Sequence, residues 1–265
     1  MTNNTLFRKA FIIVLCTVLA IVFSAAVTGS QVHAKTKYRL PKKIVEYYWV
    51  DDGVKWIGNK DTFKYNKKGD PIKIVHRFYE ENSVAEKTTY TFKHKYKKSK
   101  KVKTTVKRNG KKYGVVTYDK KGRISKVTIA SEEWIDKYKY GKKGYLASIK
   151  ATDYGETRTI TFTPTLKKGK LKKMKVYYPP GDGDEAYQYR YYGSTGLLTK
   201  VELPLSDIVS IYKYKKKNGL VKKMFIDDGE GSNGWYEYTY SKTKVSKSKY
   251  AQVINYDERT LEGIF

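Results

Sequence analysis

The sequence predicts an all-β fold, an antiparallel meander of about sixteen short strands built from hairpin repeats. Three observations predict it. An aromatic-x-aromatic pattern recurs about every 22 to 29 residues. A short turn rich in Lys and Gly follows most copies, and an aliphatic segment resumes after the turn. No segment after residue 34 shows a long apolar period of 3.6 residues, so we expect almost no helix there.

Each copy alternates in a way that separates rings from charges. In Tyr138-Lys139-Tyr140 the two rings share one face of a strand and the lysine takes the other face. The copies begin at Phe63, Tyr90, Val116, Tyr138, Ile160, Tyr189, Tyr212 and Tyr238, and a partial ninth copy is expected at 254–257. One hairpin is marginal in water, so stability requires neighbouring hairpins that share an apolar face.

The turn residues suit hairpin connections. Asn66-Lys67-Lys68-Gly69 places Asn first and Gly last, as in a type I turn closed by a left-handed glycine. The glycines predicted at such turns are Gly69, Gly122, Gly144, Gly169, Gly196 and Gly219.

Residues 35–60 are predicted to be a lead-in hairpin that caps the first repeat. Segments 47–50 and 54–57 are rich in aromatic and β-branched residues, and they flank Asp51-Asp52-Gly53. We expect this hairpin to form one domain with the repeat array 61–265. The Pro- and Gly-rich segment 179–183 is interpreted as a loop, because the repeat resumes directly after it.

One copy resembles a known family. The segment 116–128, with Tyr118-Asp119 and Gly122, is similar to the YD repeat of secreted and surface-exposed bacterial RHS-type proteins. The resemblance covers about 61–257 loosely, because other copies carry Asn66, Gly141, Lys215 or Ser241 at the Asp position. It implies a hairpin scaffold outside the cytoplasm and no particular activity.

The N-terminus has the three parts of a secretory signal. Arg8 and Lys9 precede an uncharged apolar run at 11–27, and small residues follow. We expect cleavage between Ala34 and Lys35, so that 1–34 is a signal peptide. An uncleaved membrane anchor stays open as the alternative, because the run is at the short end for a spanning helix. The only cysteine, Cys16, lies within this segment. Cleavage would therefore leave a mature chain without disulfides or cysteine metal sites.

The chain is strongly basic. Its formal net charge is +29, mostly from Lys, and its aromatic residues are chiefly the 26 Tyr. A field of this size attracts polyanions, although Lys also keeps sheet edges soluble. The sequence therefore favours an anionic partner without identifying it.

Few residues suit catalysis or metal binding. His76 and His94 have no metal-ligand spacing, and 193–196 (Gly-Ser-Thr-Gly) has the wrong spacing for a nucleophile elbow and is interpreted as a turn. Adjacent acids point to opposite faces of a strand and do not form a catalytic pair. The acid-rich segments 181–185 and 227–231 lack the distal Glu of a calcium loop, so we interpret them as solvated turns. We expect no metal, no cofactor and no enzymatic activity.

We therefore expect a secreted or envelope-associated bacterial protein that binds an anionic polymer or glycan. Nucleic acid is not expected as a partner because the chain is exported, and the membrane is contacted only if the signal segment stays uncleaved. The candidate ligand surface consists of Tyr138, Lys139, Tyr140, Tyr189, Arg190, Tyr191, Tyr212, Lys213 and Tyr214. The same rings also suit the core face of the sheet. Two alternatives stay open: a secreted wall-glycan hydrolase that uses turn carboxylates, and a passive structural surface protein.

Overall fold

The computed structural model describes residues 38–50, 54–179, 186–204, 208–227 and 234–254. In these ranges the chain forms sixteen antiparallel strands, which confirms the all-β prediction and the strand number. Helical structure there is limited to a 3-10 turn, η1 (Ala130–Glu132), and helix α1 (Lys247–Ile254), and the expectation of almost no helix is confirmed. The predicted signal segment 1–34 and the cleavage site Ala34–Lys35 lie outside the described residues.

The strands in chain order are β1 Arg39–Val50, β2 Val54–Tyr65, β3 Pro71–Glu80, β4 Ser83–Lys97, β5 Lys100–Arg108, β6 Lys111–Tyr118, β7 Ile124–Ile129, β8 Trp134–Tyr140, β9 Leu146–Asp153, β10 Glu156–Lys167, β11 Lys170–Tyr178, β12 Ala186–Tyr192, β13 Leu198–Leu203, β14 Ile208–Lys217, β15 Leu220–Asp227 and β16 Trp235–Lys244. Every strand pairs with its neighbours in sequence, as in a meander. The hairpin connections therefore alternate between the two ends of the sheet.

The sheet closes into a barrel because β1 pairs with β16. Ile44 of β1 lies opposite Tyr238 of β16 on one side and opposite Asp61 of β2 on the other. The hairpin predicted in 35–60 corresponds to the antiparallel pair of β1 with β2, and both strands are part of the barrel wall. β1 supplies the second strand of the eighth repeat, whose first strand is β16, and β2 is the first strand of the first repeat.

The partial ninth repeat expected at 254–257 is not a strand at its start, because Ile254 is the last residue of α1. After β16, the Val245 amide donates to the carbonyl of Tyr38 at 3.0 Å, and α1 then packs on the barrel end. Tyr250, Ala251 and Ile254 are buried there. The Tyr250 hydroxyl accepts a hydrogen bond from the Val221 amide at 2.5 Å. No helix among the described residues is long and apolar enough to span a membrane.

The barrel interior is filled by side chains. Inward residues such as Val106, Ile149, Ile160 and Met174 have no exposed surface, and one buried apolar cluster includes residues from nearly all the strands. An open aqueous lumen of the kind found in wide barrels would leave these side chains exposed. The inward rows therefore form a packed hydrophobic core.

Tyrosine recurs in the repeat because its hydroxyl bonds the neighbouring unit. Tyr140, Tyr214 and Tyr240, each in the first strand of a unit, donate to the carbonyls of Ile124, Leu198 and Val221 at 2.9, 2.5 and 2.5 Å. In each case the acceptor is the first or second residue of the second strand of the preceding unit. The ring fills the core while the hydroxyl satisfies a backbone acceptor, which phenylalanine would leave without that partner.

The turn between β6 and β7 is held by one carboxylate. Asp119 accepts the amides of Lys121 and Arg123 at 2.8 and 2.9 Å, and its other oxygen accepts the Arg123 guanidinium. Asn66 accepts the corresponding amides of Lys68 and Asp70 in the β2–β3 turn. Gly141 starts a turn with the same backbone hydrogen bonds, but it has no side chain that could accept the corresponding turn amides.

We predict that Gly141→Asp stabilises the protein by about 1 kcal/mol, because it adds the missing acceptor and restricts the unfolded chain. A Cβ at this position meets only the Tyr145 carbonyl, at 3.9 Å. Urea unfolding measures the effect, and Gly141→Ala, which adds the restriction without the acceptor, is the control. Equal stability of the Asp and Ala variants would show that the side-chain acceptor contributes nothing.

Candidate functional site

The nine residues of the predicted ligand surface do not lie on one face. Tyr138 is buried and Tyr140 is half-buried against the core, whereas Lys139 between them is exposed. Tyr212 and Tyr214 likewise pack against the core, and Lys213 points outward to Asp227, at 3.2 Å. The strand period separates the rings from the lysines here.

Strand β12 reverses this arrangement. Arg190 is only 4% exposed and its Nε donates to Gln188 Oε1 at 2.5 Å, whereas Tyr189 and Tyr191 face outward. The copy begins one residue later than the sequence analysis placed it. Tyr65, Tyr118, Tyr140 and Tyr192 each lie four residues before a turn glycine, and Tyr192 is the buried ring of its unit. This constant spacing was a signal by which the sequence could have been aligned correctly.

The predicted turn glycines do lie in turns with positive φ. The values for Gly69, Gly122, Gly144 and Gly196 are 78°, 79°, 82° and 82°, and their amides close four-residue turns. Gly169 and Gly219 follow Lys168 and Asn218, also at positive φ, in two-residue hairpin turns. The 193–196 segment forms one of these turns, with the Gly196 amide 3.0 Å from the Gly193 carbonyl.

These turns gather lysines at one end of the barrel, the end that α1 covers. We name the exposed set the lysine end; its members are Lys67, Lys68, Lys97, Lys98, Lys100, Lys120, Lys121, Lys142, Lys143, Lys167, Lys168, Lys170, Lys216 and Lys217. The acids in the described turns of this end are Asp70 and Asp119. Asp70 is buried and accepts Lys101 Nζ at 2.9 Å and the Tyr96 hydroxyl at 2.8 Å.

Both acids are already neutralised by local partners. Burial opposes the ionisation of Asp70, but Lys101 and Tyr96 outweigh it and lower the pKa of Asp70. Burial is likewise the largest influence on Asp119, and the Arg123 amide and guanidinium outweigh it and lower its pKa. The lysine end therefore presents positive charge that described carboxylates do not offset.

The described turns at the opposite end are more acidic. Glu80 and Glu81 are exposed at the β3–β4 turn, Glu133 lies at the β7–β8 turn, and Glu156 at the β9–β10 turn. Lys111, with Arg108 and Lys112 beside it, is the basic exception at the β5–β6 turn. The molecule therefore carries a charge difference along the barrel axis, which composition alone does not reveal.

A second feature lies on the outer wall at β11, β12 and β13. Lys173 Nζ lies 3.9 Å from the ring centroid of Tyr189, and Lys175 Nζ lies 4.0 Å from that of Tyr187. Tyr191 donates its hydroxyl to Glu202, which also pairs with Lys200. Hydrogen bonds from Lys200 and Tyr191 lower the pKa of Glu202.

The inner wall contains a polar cluster between β1 and β3. Asp61 has no exposed surface, and its Oδ1 lies 2.9 Å from His76 Nδ1. Burial raises the pKa of Asp61 although His76 opposes the rise. Glu46 accepts the Tyr236 hydroxyl at 2.9 Å and the Asn59 amide at 2.5 Å. The cluster joins β16, β1, β2 and β3 beside the closing strand pair.

His76 and His94 both lie in strands and both have local partners. His94 lies in β4 and its ring nitrogens lie 2.8 Å from Thr104 Oγ1 and 2.6 Å from the Pro71 carbonyl oxygen. Next to His76, the Thr88 hydroxyl donates to Glu86 at 2.8 Å and so is not oriented as a nucleophile toward the histidine. Within the described ranges, no group of three or more His, Cys, Asp or Glu side chains is arranged to hold a metal ion.

Two acids of the described turns and strand ends have local partners. Glu132 accepts the Tyr113 hydroxyl at 3.0 Å, and Asp227 pairs with Lys213. The acids at 51–52, 182–185 and 228–230 lie outside the described residues.

The sequence matches no protein-family model and no curated protein. Among solved structures, the chain is similar to a porin-like protein from Bacteroides uniformis, with 13% identity and a TM-score of 0.53 over 76% of this chain and 98% of that chain. A porin-like protein from Bacteroides vulgatus has 10% identity and a TM-score of 0.37 over 77% and 99% of the two chains. The Tc holotoxin pore of Photorhabdus luminescens has 10% identity and a TM-score of 0.26 over 70% of this chain and 12% of that chain. The first similarity shows a shared fold, and the other two are too weak to support an argument.

The buried carboxyl group of Asp136 makes the folding stability depend on pH. It is 3% exposed, and burial raises its pKa to about 6 although Trp134 and Tyr138 donate hydrogen bonds to it. Because the folded pKa is raised, the folded state holds its proton more tightly, and stability falls as pH rises from about 4 to about 6. The ionised form costs about 2–3 kcal/mol above that range.

Asp136→Asn is therefore expected to stabilise the protein by about 1–2 kcal/mol at pH 8, with little gain at pH 4. Urea unfolding at several pH values measures the difference. Glu133→Gln, an exposed acid nearby in sequence, is the control and should change stability little at either pH. A gain for Asp136→Asn that is the same at both pH values would contradict a raised pKa.

Proposed function

We propose that the protein works outside the cytoplasm as a binding protein for an anionic polymer, and that the lysine end is the contact surface. The observation that carries this proposal is the collection of unpaired lysines at one end of a rigid barrel. Lys67, Lys120 and Lys142, for example, are exposed and form no ion pair with a described carboxylate. Charge concentrated on one surface attracts a polyanion more strongly than the same charge spread evenly.

The outer wall supports an aqueous rather than a lipid-facing role. Outward positions on β4 and β5 carry Lys93, Lys95, Lys103 and Lys107, and outward positions on β10 carry threonines. A membrane-spanning barrel presents an apolar band outward and polar residues inward. Here the apolar residues fill the interior, so we propose that the shared fold of the porin-like protein serves here as a binding scaffold rather than as a channel.

Export supports the same proposal. The predicted signal segment 1–34 precedes a chain without cysteine, and the loose resemblance to YD repeats implies an extracytoplasmic scaffold. Outside the cell the abundant polyanions include wall polymers and acidic glycans. We propose no catalytic step: Glu132 and Asp227 have local hydrogen-bonding or ionic partners, and Glu133 is exposed in a turn.

The test compares two sets of six Lys→Gln substitutions in the purified protein. The first set lies at the lysine end and comprises Lys67, Lys68, Lys120, Lys121, Lys142 and Lys143. The second set lies on the wall and comprises Lys93, Lys95, Lys103, Lys107, Lys137 and Lys139. All twelve are exposed, and both sets lower the net charge equally.

Binding to isolated cell envelopes is measured by sedimentation at about 0.05, 0.15 and 0.5 M salt. We expect the end variant to bind at least tenfold more weakly at low salt, with a shallower salt dependence, and the wall variant to lose no more than about threefold. Equal losses would show that the overall field binds rather than one surface. Absence of binding by the unmodified protein at every salt concentration would contradict the proposed function and favour a passive structural role.

A further inference from the structure

The outer wall at β11–β13 contains a regular array of lysines and rings that we name the tyrosine track. Its rings are Tyr187, Tyr189 and Tyr191 on β12, and its lysines are Lys173 and Lys175 on β11 with Lys200 on β13. Outward residues of β12 alternate with buried Gln188, Arg190 and Tyr192, so the three rings lie in one line along the strand.

The register makes each lysine cross to the ring diagonal to it. Lys175 lies opposite Tyr189 but places its amine over Tyr187, and Lys173 lies opposite Tyr191 but places its amine 3.9 Å from the Tyr189 ring centroid. Because the rings are two residues apart, successive ammonium groups repeat at about 7 Å along the strand. Lys173 and Lys175 therefore place two positive charges one strand repeat apart.

The rings restrain these lysines. A surface lysine normally loses side-chain freedom when it binds an anion, and that loss weakens binding. Here cation–π contact already holds the amines of Lys173 and Lys175 over a ring. Neither lies within ion-pairing distance of a described carboxylate. Glu202, opposite Tyr189 on β13, pairs with Lys200, and Lys173 is near enough to help lower the pKa of Glu202.

A line of hydroxyl groups lies beside the row. Thr161, Thr163 and Thr165 of β10 are exposed and lie opposite Tyr177, Lys175 and Lys173 of β11. Each step along the wall therefore presents a threonine hydroxyl next to a ring or an ammonium group. Hydroxyls can donate to and accept from the hydroxyls of a sugar, which a purely electrostatic surface does not provide.

We propose that the tyrosine track binds a linear acidic glycan, with successive anionic groups on Lys173 and Lys175 and sugar hydroxyls on the threonines of β10. This inference rests on the proposed function and assigns it a ligand class and a second surface. Single-stranded nucleic acid fits less well, because base stacking requires open ring faces and lysine amines already occupy faces of Tyr187 and Tyr189.

The first experiment measures binding of a hexamer of galacturonate to the purified protein by calorimetry or fluorescence at about 0.15 M salt. The double substitution Lys173→Gln/Lys175→Gln should weaken binding roughly tenfold, as expected when two charge-assisted contacts are lost. The matched control is Lys93→Gln/Lys95→Gln on β4, seven strands around the barrel from β11, with the same change of charge. An equal loss in the control would overturn the inference.

Ring and hydroxyl substitutions separate the parts of the site. Tyr187→Leu/Tyr189→Leu should weaken binding severalfold, and Tyr187→Phe/Tyr189→Phe should retain it, because a phenyl ring still holds an ammonium group. Thr161→Val/Thr163→Val should weaken binding of the uronate hexamer but leave binding of inorganic polyphosphate unchanged. Equal affinity of the Leu and Phe variants for the hexamer would contradict the proposed site. An equal loss of affinity for the uronate hexamer and for polyphosphate in the Val variant would also contradict it.

The probes also identify the source of the anion and keep this inference separable from the proposed function. A teichoic-type glycerol-phosphate oligomer that competes with the uronate hexamer would extend the site to phosphorylated glycans, and an oligothymidylate that binds more tightly than both would overturn the glycan assignment. If the end and wall variants bind envelopes equally while hexamer binding still requires Lys173 and Lys175, the lysine end is not the contact surface and the tyrosine track remains supported. If envelopes bind through the lysine end and the track variants bind the hexamer normally, only the track is wrong.

Discussion

Closure of the sheet between β1 and β16 is the constraint on which the rest of the structure depends. Ile44 and Glu46 of β1 lie opposite Tyr238 and Tyr236 of β16, and the Tyr236 hydroxyl donates to Glu46. With this pair formed, no described strand is left with an open edge, which would otherwise be a template for aggregation. The eighth repeat is thereby assembled from the two ends of the array, so closing the ring joins its first and last strands.

Closure also explains why the inward and outward faces of the sheet differ in composition. The inward rows become a packed core in which tyrosine hydroxyls find backbone acceptors in the preceding unit, and the outward rows become an exposed wall of lysine and threonine. Fixed turns then carry lysines to one end, while β12 presents three tyrosines outward beside Tyr177 of β11. The binding surfaces that we propose would benefit from such a fixed scaffold, because ordering a flexible surface would reduce affinity.

Local chemistry predicted much of the fold. Alternation in segments such as Tyr138-Lys139-Tyr140 and the turn glycines Gly69 and Gly122 identified strands and their connections, because these features depend on neighbours in sequence. The pairing of β1 with β16 was not predictable in the same way, since the partners are far apart and no local pattern marks them. Helix α1 was missed because eight residues are too few for a distinct apolar period.

The candidate surfaces were predicted less well than the strands. The tyrosines of β12 were identified, but they were assigned with Arg190, which faces the core. In 186–192 aromatic residues fall on both strand faces, so alternation alone does not define the inward side. The lysine end depends on which connections share an end of the barrel, and that information belongs to the topology.

Amide hydrogen exchange at β1 and β16 tests the central claim, that the ring is closed, most directly. The closed barrel predicts that the amides of β1 and β16 that face the seam exchange as slowly as those of interior strands such as β9 and β10, because each strand bonds on both sides. Fast exchange of the β1 and β16 amides that face the seam, with protection elsewhere, would show an open sheet and contradict the account.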